Sequence, residues 1–171
     1  MKTLLRFLEI LALSLWVGGI VFLSFILAPN AFRILPSHQA GMLVGMTLTR
    51  LHLLGYFATL LFLAARVTGA LLAPPSDSFS RSALLVRPAV LLVLVMFLIT
   101  VVAQQGVRPR MDAVRAEMIA TSGTVDRAPL GSPLRERFDQ LHRISVRLEG
   151  AVLLLGLAAM FLTARESVSK P

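Results

Sequence analysis

Long, nearly unbroken apolar runs separated by short polar breaks dominate this chain. Four runs stand out, at about residues 4–28, 42–72, 83–103 and 138–164. A helix that crosses a bilayer needs about 20 predominantly apolar residues. Each run reaches that length, each is too long for a strand, and none alternates as a membrane β-strand does. The pattern predicts an all-α integral membrane four-helix bundle, a single transmembrane domain over residues 1–171. Pro29-Asn30 ends the first run, and residues 29–40 read as a short turn with helix-breaking prolines. Pro74-Pro75 stops the second run, and residues 74–81 read as a short polar loop. The long polar connection, 104–137, carries mixed charge in VRPRMDAVRAEM, so the third helix is expected to continue past Pro109. TSGTVDRAPLGSP has the composition of a mobile loop, and Ser132-Pro133 forms an N-cap and first-turn pair that restarts helix.

Composition narrows the setting further. Of 171 residues, 56% are hydrophobic and 15% charged, with a mean hydropathy of +0.79. A soluble domain carries about 25% charged residues, so a water-facing surface is excluded, and so is a disordered chain. The absence of cysteine removes disulfides, thiol nucleophiles and thiolate metal sites. Lys2 and Arg6 give the first run a positive start, but its length, Glu9 and Trp16 mark a retained span rather than a cleaved signal.

The net charge of +8 reads as loop charge on a membrane protein. Let side A hold both termini, and side B the first and third connections. Lys2, Arg6, Arg66, Arg81, Arg87, Arg165 and Lys170 fall near side A. Arg33, Arg50, Arg108, Arg110, Arg115, Arg127, Arg135, Arg137, Arg143 and Arg147 fall near side B. The whole count favours a cytoplasmic side B, whereas the first helix alone favours cytoplasmic termini. The first helix usually dominates, so cytoplasmic termini are expected.

Ionisable residues inside spans are costly and need a partner, water or a task. They form two groups here. On side A, Glu9, Arg66 and Arg87 fall at similar depth as a charge layer. One reading is an interhelical ion pair with snorkelling arginines; the other is a proton or ion relay through Glu9. On side B, the polar cluster is Arg50, His52, His142, Ser145 and Glu149, with Gln104 and Gln105 ending the third run. Residues 142, 145 and 149 share one helical face. In the plain reading Arg50 neutralises Glu149, while the histidines and Ser145 tie helices together. A second reading makes His52 and His142 metal or haem ligands, with copper as the metal and Glu149 behind them. A third has Arg50 and Arg147 hold a small anionic or polar ligand.

Small residues four apart, Ser14/Gly18, Gly41/Gly45 and Ala65/Gly69, let helices approach closely, within the bundle or in a homo-oligomer. Gly18-Gly19 after Trp16 is the expected tight contact. Phosphate-binding, dinucleotide, zinc-protease and nucleophile-elbow motifs are missing. Only Trp16 and Tyr56 accompany ten phenylalanines that fall mostly in the runs, so nucleic acid is not an expected partner; the lipid bilayer is.

LALSLWVGGIVFLSFILAPNAFRIL, residues 11–35, resembles the first span and following turn of the transmembrane protein 205-like family. RERFDQLHRISVRLEG, residues 135–150, is similar to that family's last-span entrance, with Phe138, His142 and Ser145 in place. The resemblance implies a small four-span membrane protein whose bacterial members carry a domain of unknown function, in the inner membrane. It supplies no activity and no cofactor. The W-V-G-G stretch is more distantly similar to copper-resistance D-type proteins and to a haem-binding membrane oxidase family. Those often carry a histidine where this chain has Glu9, so the likeness gives Glu9 no ligand role. The function expected from the residues is a structural or small-ligand-binding membrane bundle without covalent catalysis. The alternatives are metal or haem handling through His52 and His142, or a small-ion or proton carrier working through Glu149.

Overall fold

A computed structural model describes residues 1–72, 87–129 and 131–168. The Pro74-Pro75 stop, Arg81, the start of the third run at residue 83, and Lys170 lie outside the described residues. Those described are helical, with short turns and no strand. In chain order the helices are α1 (Lys2–Phe22), α2 (Ala28–Ile34), α3 (Ser37–Leu71), α4 (Pro88–Val101), α5 (Arg108–Ser122) and α6 (Pro133–Val168). A π turn at Leu23–Leu27 joins α1 to α2, and another at Val102–Val107 joins α4 to α5. This gives four helices long and apolar enough to cross a membrane: Thr3–Ile34, Ser37–Leu71, Pro88–Ser122 and Pro133–Glu166.

Both π turns have a cause in the sequence. Pro29 and Pro109 lack an N–H, and each ring collides with the carbonyl four residues earlier. The helix widens by one residue before each proline and then continues. Pro29 therefore does not end the first helix, and the connection read as 29–40 shrinks to a turn at Leu35-Pro36. Leu35 is extended (φ −106°, ψ 153°), as a residue before proline should be, and α3 starts at Ser37 with Pro36 as its N-cap. The third helix does run past Pro109, ending only at Gly123, whose φ of +76° suits a glycine. Ser132 Oγ accepts from the Arg135 N–H at 3.4 Å at the start of α6. A 3₁₀ turn at Val125–Arg127 buries Val125 and Ala128 against Val114 and Met118.

The main core follows from helical spacing. On α1, Glu9, Ala12, Leu13, Trp16, Val17 and Ile20 are buried, and Leu23 at the start of the π turn continues the stripe. This stripe meets Leu51, Ala58 and Phe62 of α3, Val90, Val93 and Met96 of α4, and Val152 and Ala159 of α6. α1 packs between α3 and α6, and α4 closes the ring against α6 and α3. Large apolar side chains elsewhere point outward: Phe25, Phe57, Leu60, Leu154 and Phe161 are all more than 60% exposed. In water such a surface would drive aggregation. Against lipid chains it carries no penalty, and the bundle is read as embedded in a bilayer.

In lipid the apolar side chains gain little by meeting one another, so close fit matters most. Glycine provides that fit at three places. A Cβ on Gly19 would stand 2.5 Å from a Leu51 methyl, one on Gly55 2.6 Å from the Trp16 indole, and one on Gly156 2.5 Å from a Val17 methyl. Gly18 faces open space instead. Gly41 and Gly45 do not bring two helices together directly. They leave room for the guanidinium groups of Arg115 and Arg108 from α5, and the Gly45 carbonyl accepts from Arg108 Nη1.

Candidate functional site

Helices this long extend about 50 Å at 1.5 Å per residue, beyond the roughly 30 Å of a hydrocarbon core. The charged α5 and the first half of α6 therefore form a polar head on side B. The π turns fall near its junction with the apolar bundle. A cavity of about 590 Å³ opens there between α1, α3, α5 and α6. Its apolar wall comes from residues such as Ile20, Leu23, Phe25, Val44 and Leu48, while His142, Ser145 and Glu149 line it along the shared face of α6.

Behind Glu149 sits His52, 2% exposed on α3. Its Nε2 lies 2.6 Å from Glu149 Oε1, and its Nδ1 lies 2.7 Å from Gln104 Oε1. Gln104 belongs to the π turn before Pro109, so the widened helix presents the amide that holds the imidazole. An amide oxygen only accepts, so Nδ1 carries a hydrogen and donates it. One further proton must lie between Nε2 and the carboxylate, since two lone pairs would repel at that distance. Whether it rests on nitrogen or oxygen, the pair as a whole is neutral. Neutrality lowers the cost of burying it. A metal at His52 would have to displace Gln104 or Glu149, because both ring nitrogens are engaged.

The other members of the side B group are dispersed. Arg50, Arg143 and Arg147 are exposed, and the contact of Glu149 is His52 rather than Arg50. Neither Arg50 nor Arg147 lines the cavity, which instead has Arg115 and Arg135 among its lining residues. His142 is exposed on the cavity wall. No group of three or more potential metal-ligating side chains occurs among the described residues.

On side A, Glu9 and Arg66 are each 4% exposed, with Arg66 Nε 3.2 Å from Glu9 Oε1. Arg87 approaches Glu166 Oε2 at 3.1 Å, and Arg66 Nη1 approaches the same oxygen at 2.7 Å. Arg6 bridges the two carboxylates, 2.7 Å from Glu9 and 3.4 Å from Glu166. The guanidinium of Arg66 also lies 5.2 Å from the Phe62 ring centre. Three arginines and two glutamates thus tie α1, α3, α6 and the residue preceding α4 together. Sequence reasoning missed Glu166, which lies beyond the last apolar run, and it gave Arg6 no partner.

A four-helix membrane bundle, clasped by arginine–glutamate pairs at one end and hollow beside a hydrogen-bonded imidazole–carboxylate pair at the other, is the class these observations define. Residues 11–120 match the family model described as a domain of unknown function, DUF4149. The chain belongs to that family. No curated protein and no solved structure matches it.

Proposed function

We propose that the protein is a small-ligand-binding membrane bundle whose cavity on side B accepts an amphiphilic molecule. The cavity itself carries this reading. Ligand sites are typically about 300–1,000 Å³, mostly apolar, with a few convergent polar groups. The 590 Å³ cavity fits that description, with His142, Ser145 and Glu149 converging from one helix face. The likeness of residues 11–35 and 135–150 to the transmembrane protein 205-like family agrees with a bacterial inner-membrane location. Lys2 and Arg6 on the first helix favour cytoplasmic termini.

Gly150 supplies the test. It lines the cavity, and a Cβ there would meet nothing within 4 Å. Gly150→Leu therefore narrows the cavity with a side chain whose first carbon meets no neighbour. In nanodiscs it should weaken saturable binding of a soluble amphiphilic probe while the protein still unfolds as one cooperative unit. Undiminished binding in the folded variant would refute the proposal.

A second reading, a proton carrier, draws on the proton shared between His52 and Glu149. It predicts proton flux into proteoliposomes that Glu149→Gln reduces. Metal or haem handling through His52 and His142 remains the reading that a visible spectrum and metal analysis of the purified protein would favour, and the engaged nitrogens of His52 weigh against it.

A further inference from the structure

The chemistry of the deepest ionisable group on the cavity wall points to the kind of ligand and to what leaves when it binds. This inference rests on the ligand-binding reading above. Charged and titratable groups reach the cavity from each polar wall: His38 on α3, Arg115 on α5, Asp126 in the 3₁₀ turn, and Arg135, Asp139 and His142 on α6. From α1 the wall has only uncharged residues. Both arginines have acidic neighbours outside the His52–Glu149 pair. Arg115 lies 3.8 Å from Asp112 and over the Phe138 ring at 5.6 Å. Arg135 lies 3.5 Å from Asp139 and donates to the Val125 carbonyl at 3.1 Å. Neither is hydrogen-bonded to Glu149, whose one hydrogen-bond partner among the described residues is His52.

We propose that the cavity takes a lipophilic cation in exchange for the proton held between His52 and Glu149. As long as that proton stays, the inner wall is neutral. Once it departs to water at the cavity mouth, the Nε2 lone pair and the Glu149 carboxylate face each other, with one net negative charge in apolar surroundings. That arrangement is unfavourable without a counter-charge. A cation beside the carboxylate supplies one, and the neutral imidazole keeps its Nδ1–H bond to Gln104. Cation and proton thus compete for the same carboxylate, and each weakens the other's binding to the same degree. An anion beside the pair would meet the Glu149 carboxylate, to which neither arginine of the wall is bonded, so this part of the wall discriminates by sign.

Tetraphenylphosphonium is a suitable probe because it has no titratable proton, so any proton released comes from the protein. Tetraphenylborate is an anion of the same shape. Binding of each to the full chain in nanodiscs, corrected for empty nanodiscs, is measured together with protons released into weakly buffered solution. We expect the cation to bind more tightly than the anion and to release about one proton per cation. For one-for-one exchange its affinity rises about tenfold per pH unit while the pair is protonated. In Glu149→Gln both the proton release and the pH dependence should vanish; in Arg147→Ala, exposed on α6 and outside the cavity, both should persist. Cation binding without proton release, or preference for the anion, overturns the exchange and leaves the ligand-binding reading standing. Binding of neither ion overturns the exchange, and loss of all amphiphile binding overturns both. Because the wild-type measurement decides the matter by itself, a variant that fails to fold does not shelter the proposal.

Discussion

The close approach of α1 and α3 at Gly55 yields the sharpest stability prediction. Trp16 is 1% exposed, and its indole lies across the α3 backbone at this glycine. In Gly55→Ala the new Cβ would stand 2.6, 2.7 and 2.9 Å from three ring atoms. The nearest contact falls about 0.8 Å short of the 3.4 Å at which ordinary van der Waals contact begins. A rigid indole has no flexible end to move aside, so either the helices part or the ring leaves its rotamer. Overpacking of this kind costs about 1–3 kcal/mol. Gly18→Ala is the control, since a Cβ there meets nothing within 4 Å, and it should change stability by less than about 0.5 kcal/mol. Reversible unfolding in mixed micelles, titrated with a denaturing detergent, measures both. Trp16→Phe removes part of the clashing ring. The double variant should therefore be more stable than the sum of the single changes predicts, with a coupling of about 0.5–3 kcal/mol. Equal stabilities for Gly55→Ala and Gly18→Ala, or strict additivity in the double variant, would refute the packing account.

Three further outcomes are expected. Glu166→Ala removes the carboxylate shared by Arg6, Arg66 and Arg87 and should destabilise the protein by about 1–3 kcal/mol in the same titration, whereas Arg165→Ala, exposed next to it, should be nearly neutral. Met118→Ala opens a cavity beneath the 3₁₀ turn, where Met118 is fully buried, and should weaken that packing by about 2–5 kcal/mol. Trypsin should then cut after the exposed Arg127 faster than in the parent, and unchanged cleavage would contradict the packed loop. Arg108→Ala removes a charged donor from the Gly45 carbonyl and should cost about 1.5–3 kcal/mol, while Gly45→Ala, whose Cβ would meet Arg108 no closer than 3.5 Å, should be tolerated.

The sequence made the helices legible because an apolar run of spanning length admits few other structures. It also marked the rare polar positions from which both ends of the bundle are built. Its limits are equally physical. Pro29 reads as a helix end, yet a π turn absorbs the lost hydrogen bond and the helix goes on. Glu166 looks like an ordinary terminal charge until four helix ends converge on it. Gln104 stands out as a polar residue, but its task as the acceptor for His52 depends on the widened turn before Pro109. The cavity has no local signature, since its walls come from segments more than 100 residues apart in the chain, such as Leu23 and Leu153. TSGTVDRAPLGSP has loop composition, and only the tertiary fold shows its Val125 and Ala128 packed with Val114 and Met118.

The central claim is that side B contains a water-accessible cavity that binds a small molecule beside Glu149. The natural absence of cysteine makes single-cysteine labelling a direct measurement of it. Ser145→Cys places a thiol on the cavity wall, and Leu154→Cys places one on the outward apolar surface, where the native leucine is 69% exposed. A membrane-impermeant, thiol-specific cationic reagent should modify Ser145→Cys from side B and leave Leu154→Cys untouched, and saturating tetraphenylphosphonium should slow the modification of Ser145→Cys. If Ser145→Cys proves as inert as Leu154→Cys, or reacts at the same rate with and without the cation, the claim is contradicted.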